Sequence, residues 1–245
     1  MSVARATRLL VLLLLLLPVT QFWSTSAQQK SAGSQEKSDL TNQKSTPPNK
    51  ESDYSQEAFV IELFKTTYRF EKDGTGQRDM NVRVKVQSEA GLERFGQLVF
   101  GYSSANEKLD FGFIRVRKAD GTVVSASETD IQDLSAPLAR EAPIYTDLRQ
   151  KHVTVPGLRP GDILEYQAIW KIHTPLAPNH FWLEHNFITR DIVVLDNGLE
   201  VNVPKDSKLK LKTEPGFEAT TRDQDDRRIY SWKHANFKKE GADEK

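Results

Sequence analysis

Apolar side chains recur at every second position along much of this sequence, and this period of two constrains the fold more than any other feature. The alternation is clearest in three runs: Val82, Val84 and Val86; Leu164, Tyr166, Ala168, Trp170 and Ile172; and Leu199, Val201 and Val203. Polar residues occupy nearly all of the positions in between. Because successive side chains of a strand point to opposite faces, the pattern predicts sheets with one buried face and one solvated face. Antiparallel sheets typically have this arrangement.

Turn-forming residues separate the apolar runs. Glycine, proline, asparagine and aspartate cluster at residues 73–76, 120–121, 159–162 and 196–198. About ten strands are predicted, near residues 58–71, 78–88, 97–103, 109–118, 122–126, 151–156, 163–173, 180–195, 199–213 and 227–234. Only Glu89–Phe95 and Ile131–Arg140 offer a helical turn. Many short strands without alternating helices predict an all-β fold, an antiparallel β-sandwich.

The N-terminal residues 1–27 have the three parts of a secretory signal peptide. Arg5 and Arg8 precede a continuous apolar run, Leu9–Leu17, and small residues follow at 25–27. Cleavage after Ala27 is predicted, which exports the protein to the periplasm or the cell exterior. The alternative is an uncleaved membrane anchor, although the run is about half of the ~20 residues that a spanning helix needs. No membrane contact is predicted beyond this segment.

The rest of the chain divides by composition into a linker, a domain and a tail. Residues 28–56 are rich in Ser, Gln, Lys and Asn. They bury too little apolar area to offset the entropy of ordering, so a disordered linker is predicted. Residues 57–237 contain the predicted strands and are long enough to bury a core as one domain. Residues 238–245 are predicted to be a polar tail, or the start of a further linker.

Composition excludes several classes of function. The sequence contains no cysteine, which removes disulfides, thiol nucleophiles and thiolate metal sites. Its 34 basic and 34 acidic residues balance, so charge gives no case for binding nucleic acid or an anionic membrane. No glycine-rich phosphate loop joins a strand to a helix, and no cofactor is predicted.

The most distinctive stretch is Pro143–Trp170, and its residue types predict a structural corner. Pro156 ends a short strand because proline cannot donate to a ladder. Pro160 and Gly161 then reverse the chain, and Asp162 is placed to accept hydrogen bonds from the amides of the turn. Nothing in this stretch requires chemistry.

The pattern Tyr-x-Asp, followed by Val-x-Val-Pro-x-Leu-x-Pro-Gly-Asp-x-x-Glu-Tyr, resembles the domain-of-unknown-function 3857 family. A strand with Phe181 and Phe187, the segment Asp191–Pro204 and a closing Trp232 extend the resemblance over about residues 57–236. The resemblance implies a β-sandwich of bacterial exported proteins, usually placed ahead of a transglutaminase-like domain. Such an enzyme needs a cysteine nucleophile with a histidine and an aspartate. Without a cysteine, this chain is expected to be the accessory domain alone or a product truncated relative to its natural gene.

Histidines and carboxylates allow a rival hypothesis, a metal site or a cysteine-free hydrolase. His173 and His180 flank a turn and could meet across a hairpin, whereas His180 and His185 face opposite sides of a strand. Glu165 and Glu184 are expected on adjacent strands, where acids usually form the solvated face. No serine lies in a Gly-x-Ser-x-Gly elbow. Accordingly, no catalytic or metal-binding residue is assigned.

Aromatic residues give the predicted binding surface, which comprises Tyr145, Asp147 and Trp182. Phe181 and Trp182 are adjacent, so one of them must leave the main core. Trp182 is predicted to do so and to stack on a sugar or peptide or to pack on a neighbouring domain. Tyr145 and Asp147 lie in the loop before the corner, and the alternative there is a loop held by its own hydrogen bonds.

The sequence therefore predicts a non-catalytic exported module. Its expected partner is a transglutaminase-like domain or a cell-envelope peptide or glycan. A purely structural interaction module is the remaining alternative.

Overall fold

A computed structural model of the chain describes residues 54–141, 147–187 and 192–237. The predicted signal peptide, nearly all of the predicted linker and the tail at 238–245 lie outside these residues. The described residues contain no helix that is long and apolar enough to cross a bilayer. Their strands are β1 (Phe59–Phe70), β2 (Gly76–Val86), β3 (Gln97–Ser103), β4 (Glu107–Arg117), β5 (Val123–Ser125), β6 (Ile131–Ser135), β7 (Leu148–Thr154), β8 (Ile163–Ile172), β9 (Val194–Pro204), β10 (Thr220–Gln224) and β11 (Arg227–Asn236). Their helices are α1 (Glu89–Phe95), α2 (Pro137–Glu141) and a 3₁₀ turn at Glu128–Asp130.

The strands form two sheets. The large sheet has the order β10-β11-β9-β1-β2-β8-β4-β5, and the small sheet has the order β3-β7-β6. Neighbouring strands are antiparallel except β1 and β9, which run parallel. The predicted all-β sandwich is confirmed, with one parallel pair that the alternation did not indicate.

The main core fills the space between the two sheets. Val82, Val84 and Val86 are buried on β2, as their spacing predicts, and Leu164, Tyr166, Ala168 and Trp170 are buried beside them on β8. Residues of the small sheet complete the cluster from the other side: Leu98, Phe100 and Val153. The indole Nε1 of Trp170 also donates to the carbonyl of Gly101, at 3.0 Å. Burial of this apolar area is the main contribution to the stability of the sandwich, at roughly 25 cal/mol per Å².

A second apolar cluster lies at the other end of the same face of the large sheet, on β1, β9 and β11. Its buried members are Phe70, Leu199, Val201, Val203 and Trp232. Residues 181–187, which we name the covering segment, pack against this cluster through Phe181, Leu183 and Phe187. The exposure of the segment alternates along its length, with the side chains at even positions turned outward. This half of the sheet is thus covered by a segment without regular secondary structure.

The corner between β7 and β8 is built as the motif predicts. Asp162 N donates to the carbonyl of Arg159 at 3.1 Å, and Gly161 between them has φ +94°, a conformation that favours glycine. The Asp162 carboxylate is buried and accepts hydrogen bonds from Arg159 N at 2.8 Å and from Lys118 Nζ at 2.7 Å. Because Lys118 follows β4, these contacts tie the corner to the neighbouring hairpin.

The predicted strand at 180–195 is wrong. Residues 181–187 belong to no strand, residues 188–191 lie outside the described ones, and β9 begins at Val194. The predicted turn at Asp196-Asn197-Gly198 is also wrong, because these residues lie inside β9. There Asn197 and Gly198 pair with β1 and β11, and the Asn197 side chain is only 1% exposed. Pairing on both sides of β9 overrides the turn preference of its residues.

Three other boundaries also differ from the predictions. The strand expected at 199–213 ends at Pro204, and the polar, fully exposed β10 follows where no strand was predicted. The helical turn expected over Ile131–Arg140 is divided between β6 and α2, with only Pro137 onward being helical. β6 carries four exposed residues, so burial left no periodic signal in its sequence.

Candidate functional site

One end of the sandwich gathers two turns and a loop, which we name the loop end. It comprises the β1–β2 turn at 71–76, the β3–β4 turn at 103–106, the loop at 173–180, and Phe181 and Trp182, which begin the covering segment directly after that loop. The carbonyl of Asn106 accepts hydrogen bonds from the amides of His173 and Thr174, at 3.0 and 3.2 Å, and its Nδ2 donates to Thr174 O at 2.9 Å. The amide of Asn179 donates to Asp73 O at 3.0 Å. The loop is therefore anchored to both turns.

Asp147 also lies at the loop end, where its polar groups contact the β3–β4 turn. Its Oδ2 accepts a hydrogen bond from Ser103 Oγ at 2.5 Å, and its carbonyl accepts from the amide of Ser104 at 2.8 Å. Asp147 is thus tied to the β3–β4 turn, and its role in binding remains a prediction. Tyr145 lies outside the described residues.

Trp182 is the exposed member of the aromatic pair. Its side chain is 70% exposed, whereas the ring of Phe181 stacks on Phe70 with centroids 4.1 Å apart and planes inclined by 7°. Phe181 thus fixes the backbone from which Trp182 projects. A role of Trp182 in binding remains a prediction.

Leu176 is a second exposed apolar residue of the loop end, and the sequence reasoning missed it. It is 75% exposed, the largest exposed fraction among the large apolar residues that the structure describes. Pro175 and Pro178 flank it in the sequence. Since proline cannot donate to a ladder, a leucine between two prolines is poorly placed in a strand, and this signal could have identified it.

The histidines are not brought together as a metal site. Nδ1 of His173 lies 2.9 Å from Thr174 Oγ1, and Nδ1 of His180 lies 2.7 Å from Pro178 O. His185 belongs to the covering segment and packs edge-on against Phe187, with ring centroids 4.8 Å apart. Within the described residues, no three His, Asp or Glu side chains are grouped so that they could hold one metal ion.

Glu165 and Glu184 lie on opposite sides of the large sheet. Glu165 is on its outer face, where Arg115 Nε lies 2.8 Å from Oε2. Glu184 is exposed on the covering segment, which packs on the inner face. The prediction that these acids occupy adjacent strands is wrong, because residue 184 is in no strand. The two carboxylates therefore do not form a pair.

Burial shifts the pKa of Tyr166 and the pKa of His185. It raises the pKa of the Tyr166 phenol, which lies in the main core. It lowers the pKa of His185, whose Nε2 is buried without a hydrogen-bond partner. Both shifts favour the neutral side chain, and neither group faces an assembled catalytic site among the described residues.

These features define a class: a β-sandwich domain that offers exposed apolar side chains at one end. The sequence matches the family described as a domain of unknown function with a solved structure, DUF3857, over residues 72–240. The match covers more than half of the chain, so this chain belongs to the DUF3857 family, as the corner motif indicated.

One solved structure supports the fold. A structure from Parabacteroides distasonis ATCC 8503, of a protein provisionally named a protease, superposes with a TM-score of 0.65 at 16% identity, covering 76% of this chain and 37% of that one. An M1 zinc metallopeptidase from Deinococcus radiodurans gives 0.38 at 11% identity, with 73% and 39% covered. This chain thus spans well under half the length of both. A nutrient-binding protein, also provisionally named, from Legionella pneumophila gives 0.34 at 13% identity, with 75% and 64% covered. The two scores below 0.5 carry no weight here. No curated protein sequence matches this chain significantly.

Proposed function

We propose that this chain is a non-catalytic, exported β-sandwich module that binds and positions a transglutaminase-like domain through its loop end. The observation that carries the proposal is the exposure of Trp182 and Leu176 on one anchored end of the domain. Large apolar side chains exposed on a rigid support are typical of interaction sites. Tryptophan is also among the residues most enriched where binding energy is concentrated.

Two further observations support an accessory role. This chain corresponds to 37% of the longer Parabacteroides chain, so the same sandwich fold occurs there as one part of a larger protein. The sequence here has no cysteine, so the thiol of a transglutaminase-like reaction would come from the partner.

The proposal is tested by measuring the affinity of the purified chain for the transglutaminase-like domain encoded beside or downstream of it. Trp182→Ala and Leu176→Ala are each expected to weaken binding by about tenfold or more, since residues that carry binding energy cost roughly 1–2 kcal/mol or more when truncated. Val99→Ala is the matched control, because Val99 is 49% exposed on β3 while its neighbours Leu98 and Phe100 are buried in the main core.

Unchanged affinity in both loop-end variants would contradict the placement of the interface. No binding by the wild-type chain would contradict the partner. Hydrolysis of peptides or glycans by this chain alone would contradict the non-catalytic role.

A cell-envelope glycan or peptide is a second candidate ligand, favoured by the same exposed indole. An aromatic ring presented to solvent can stack on the apolar face of a sugar. Cosedimentation of the chain with insoluble peptidoglycan checks this, and Trp182→Ala should release the chain to the supernatant. Retention of the variant in the pellet would remove Trp182 from glycan binding.

A further inference from the structure

The outer face of the large sheet carries an ordered array of cations on three adjacent strands. Glu165 on β8 stands in register with Arg83 on β2 and with Arg115 on β4. Two residues before Glu165, Ile163 on β8 stands in register with Lys85 on β2 and with Arg117 on β4. We call each set of three cross-strand neighbours a rung. The first rung has the carboxylate of Glu165 at its centre, and the second rung has Ile163 there.

The carboxylate of the first rung organises the arginines around it. Glu165 is largely buried, with a side-chain exposure of 12%, and its oxygens lie 2.8 Å from Arg115 Nε, 3.5 Å from Arg117 Nη2 and 3.7 Å from Arg83 Nε. Arg83 Nε also lies 2.8 Å from Glu62 Oε2. Most of these contacts use Nε, and each arginine has two further nitrogens that can donate hydrogen bonds.

The second rung is not neutralised. Among the described carboxylates none pairs with Lys85, and Arg117 has only the long contact with Glu165. The four cations of the array face two carboxylates, Glu62 and Glu165, which leaves a surplus of two positive charges in a chain whose formal net charge is zero. Strands of a sheet lie about 4.8 Å apart, so Lys85 and Arg117 flank Ile163 across about 10 Å of backbone. An anion above Ile163 is within reach of both side chains.

Apolar residues border the array. Phe113 is 36% exposed and lies under the guanidinium of Arg115, whose Cζ is 4.6 Å from the ring centre. Val123, in register with Arg117, is 44% exposed. Arginine beside an exposed aromatic ring is typical of protein interfaces, whereas small ligands bind in concave pockets and this surface is the flat face of a sheet.

We propose that this face is a second interaction surface, which binds an acidic protein segment with a glutamate or aspartate carboxylate placed over Ile163 between Lys85 and Arg117. The surplus of positive charge selects the acidic partner, and the bordering Phe113 and Val123 accept the apolar residues next to its carboxylates. This surface is independent of the loop end, because it uses the opposite face of the large sheet from the covering segment.

The test uses the purified chain and a short synthetic peptide that alternates glutamate and leucine. Binding is measured by fluorescence anisotropy, and its location by amide chemical shifts. We expect the largest shifts at Lys85, Ile163 and Arg117, and an affinity that falls as salt is added, since salt screens exposed charges. The double variant Lys85→Gln/Arg117→Gln is expected to bind about tenfold more weakly, since each exposed charge contact is worth up to ~1 kcal/mol.

The matched control is Lys108→Gln/Lys171→Gln, which removes the same charge from the same sheet. Those lysines already share Asp110, at 3.1 and 3.8 Å, so this variant is expected to change the affinity less than about twofold. Equal losses in the two double variants would overturn the proposal, as would shifts centred elsewhere. Polyphosphate binding as tightly as the peptide would reassign the face to general polyanions. An unchanged affinity in Trp182→Ala is expected, and it separates this surface from the loop end.

Discussion

Asp162 is the most informative position at which to test how the corner motif stabilises the domain. Its carboxylate is buried, with a side-chain exposure of 7%, and it accepts one hydrogen bond from Arg159 N and one from Lys118 Nζ. Replacement by alanine removes both hydrogen bonds and leaves the Lys118 ammonium with a backbone carbonyl, that of Gly157, as its remaining partner.

The expected cost follows from these two hydrogen bonds. A hydrogen bond to a charged group contributes roughly 1.5–3 kcal/mol. Lys118 keeps a side-chain exposure of 21% and regains some hydration, so the lower end of that range applies to each bond. Asp162→Ala should therefore lower the free energy of unfolding by about 3 kcal/mol. Asp162→Asn retains an oxygen that can accept from Arg159 N but presents no charge to Lys118, so about half of that cost is expected.

Urea denaturation followed by circular dichroism measures both variants. With a slope of about 2.5 kcal/mol per M, the midpoint should fall by about 1.2 M for the alanine variant and about 0.6 M for the asparagine variant. Asp120→Asn is the control, because Asp120 is exposed and accepts its hydrogen bonds from Thr122 within the same turn. An alanine variant that shifts the midpoint by less than about 0.3 M would refute the reasoning, and so would equal shifts for alanine and asparagine.

Four other substitutions test further contributions to the stability of the domain. Phe181→Ala should destabilise the domain by about 2–3 kcal/mol because it removes the ring stacked on Phe70; Trp182→Ala should stay within about 0.5 kcal/mol of wild type, and equal urea midpoints would contradict this. Gly161→Ala should cost about 1–2 kcal/mol, measured the same way, because its φ is +94° although an added Cβ would meet no atom within 4 Å. Burial lowers the pKa of His185, so the unfolded chain takes up its proton more readily. This histidine therefore leaves the free energy of unfolding unchanged above its ordinary pKa of about 6.5. As the pH falls through that value towards the lower folded pKa, the free energy of unfolding decreases. His185→Phe should flatten this part of the pH–stability curve, and an unaltered curve would show that His185 does not contribute to it.

The alternation of apolar residues predicted most of the large sheet because burial on one face produced it. Val82, Val84 and Val86 alternate with polar residues because each of the three side chains faces the main core. The pattern does not encode strand partners. Asparagine is common in turns, but Asn197 is buried in β9, where it pairs with β1. Its partner Phe64 lies more than a hundred positions earlier in the chain. No local signal reports a contact at such a distance.

The candidate surfaces could be predicted only in part. The adjacency of Phe181 and Trp182 was enough to predict that one ring leaves the core. Leu176 lies in an irregular loop and belongs to no periodic pattern. The array around Glu165 arises from cross-strand register, since Arg83, Glu165 and Arg115 belong to three strands spread over more than eighty residues. In the sequence, each looks like an ordinary solvated strand residue.

The parallel pairing of β1 with β9 has a consequence for the order of assembly. β1 forms early in the chain, yet it lies in the interior of the large sheet, between β2 and β9. Until residues 194–236 emerge during synthesis, one side of β1 has unpaired backbone groups that another polypeptide could join. The pairing joins residues more than a hundred positions apart, and such contacts form slowly because the ends of a long stretch of chain must first be brought together. A stop codon before Val194 would therefore produce a chain whose β1 lacks a partner on one side, and such a chain is expected to self-associate.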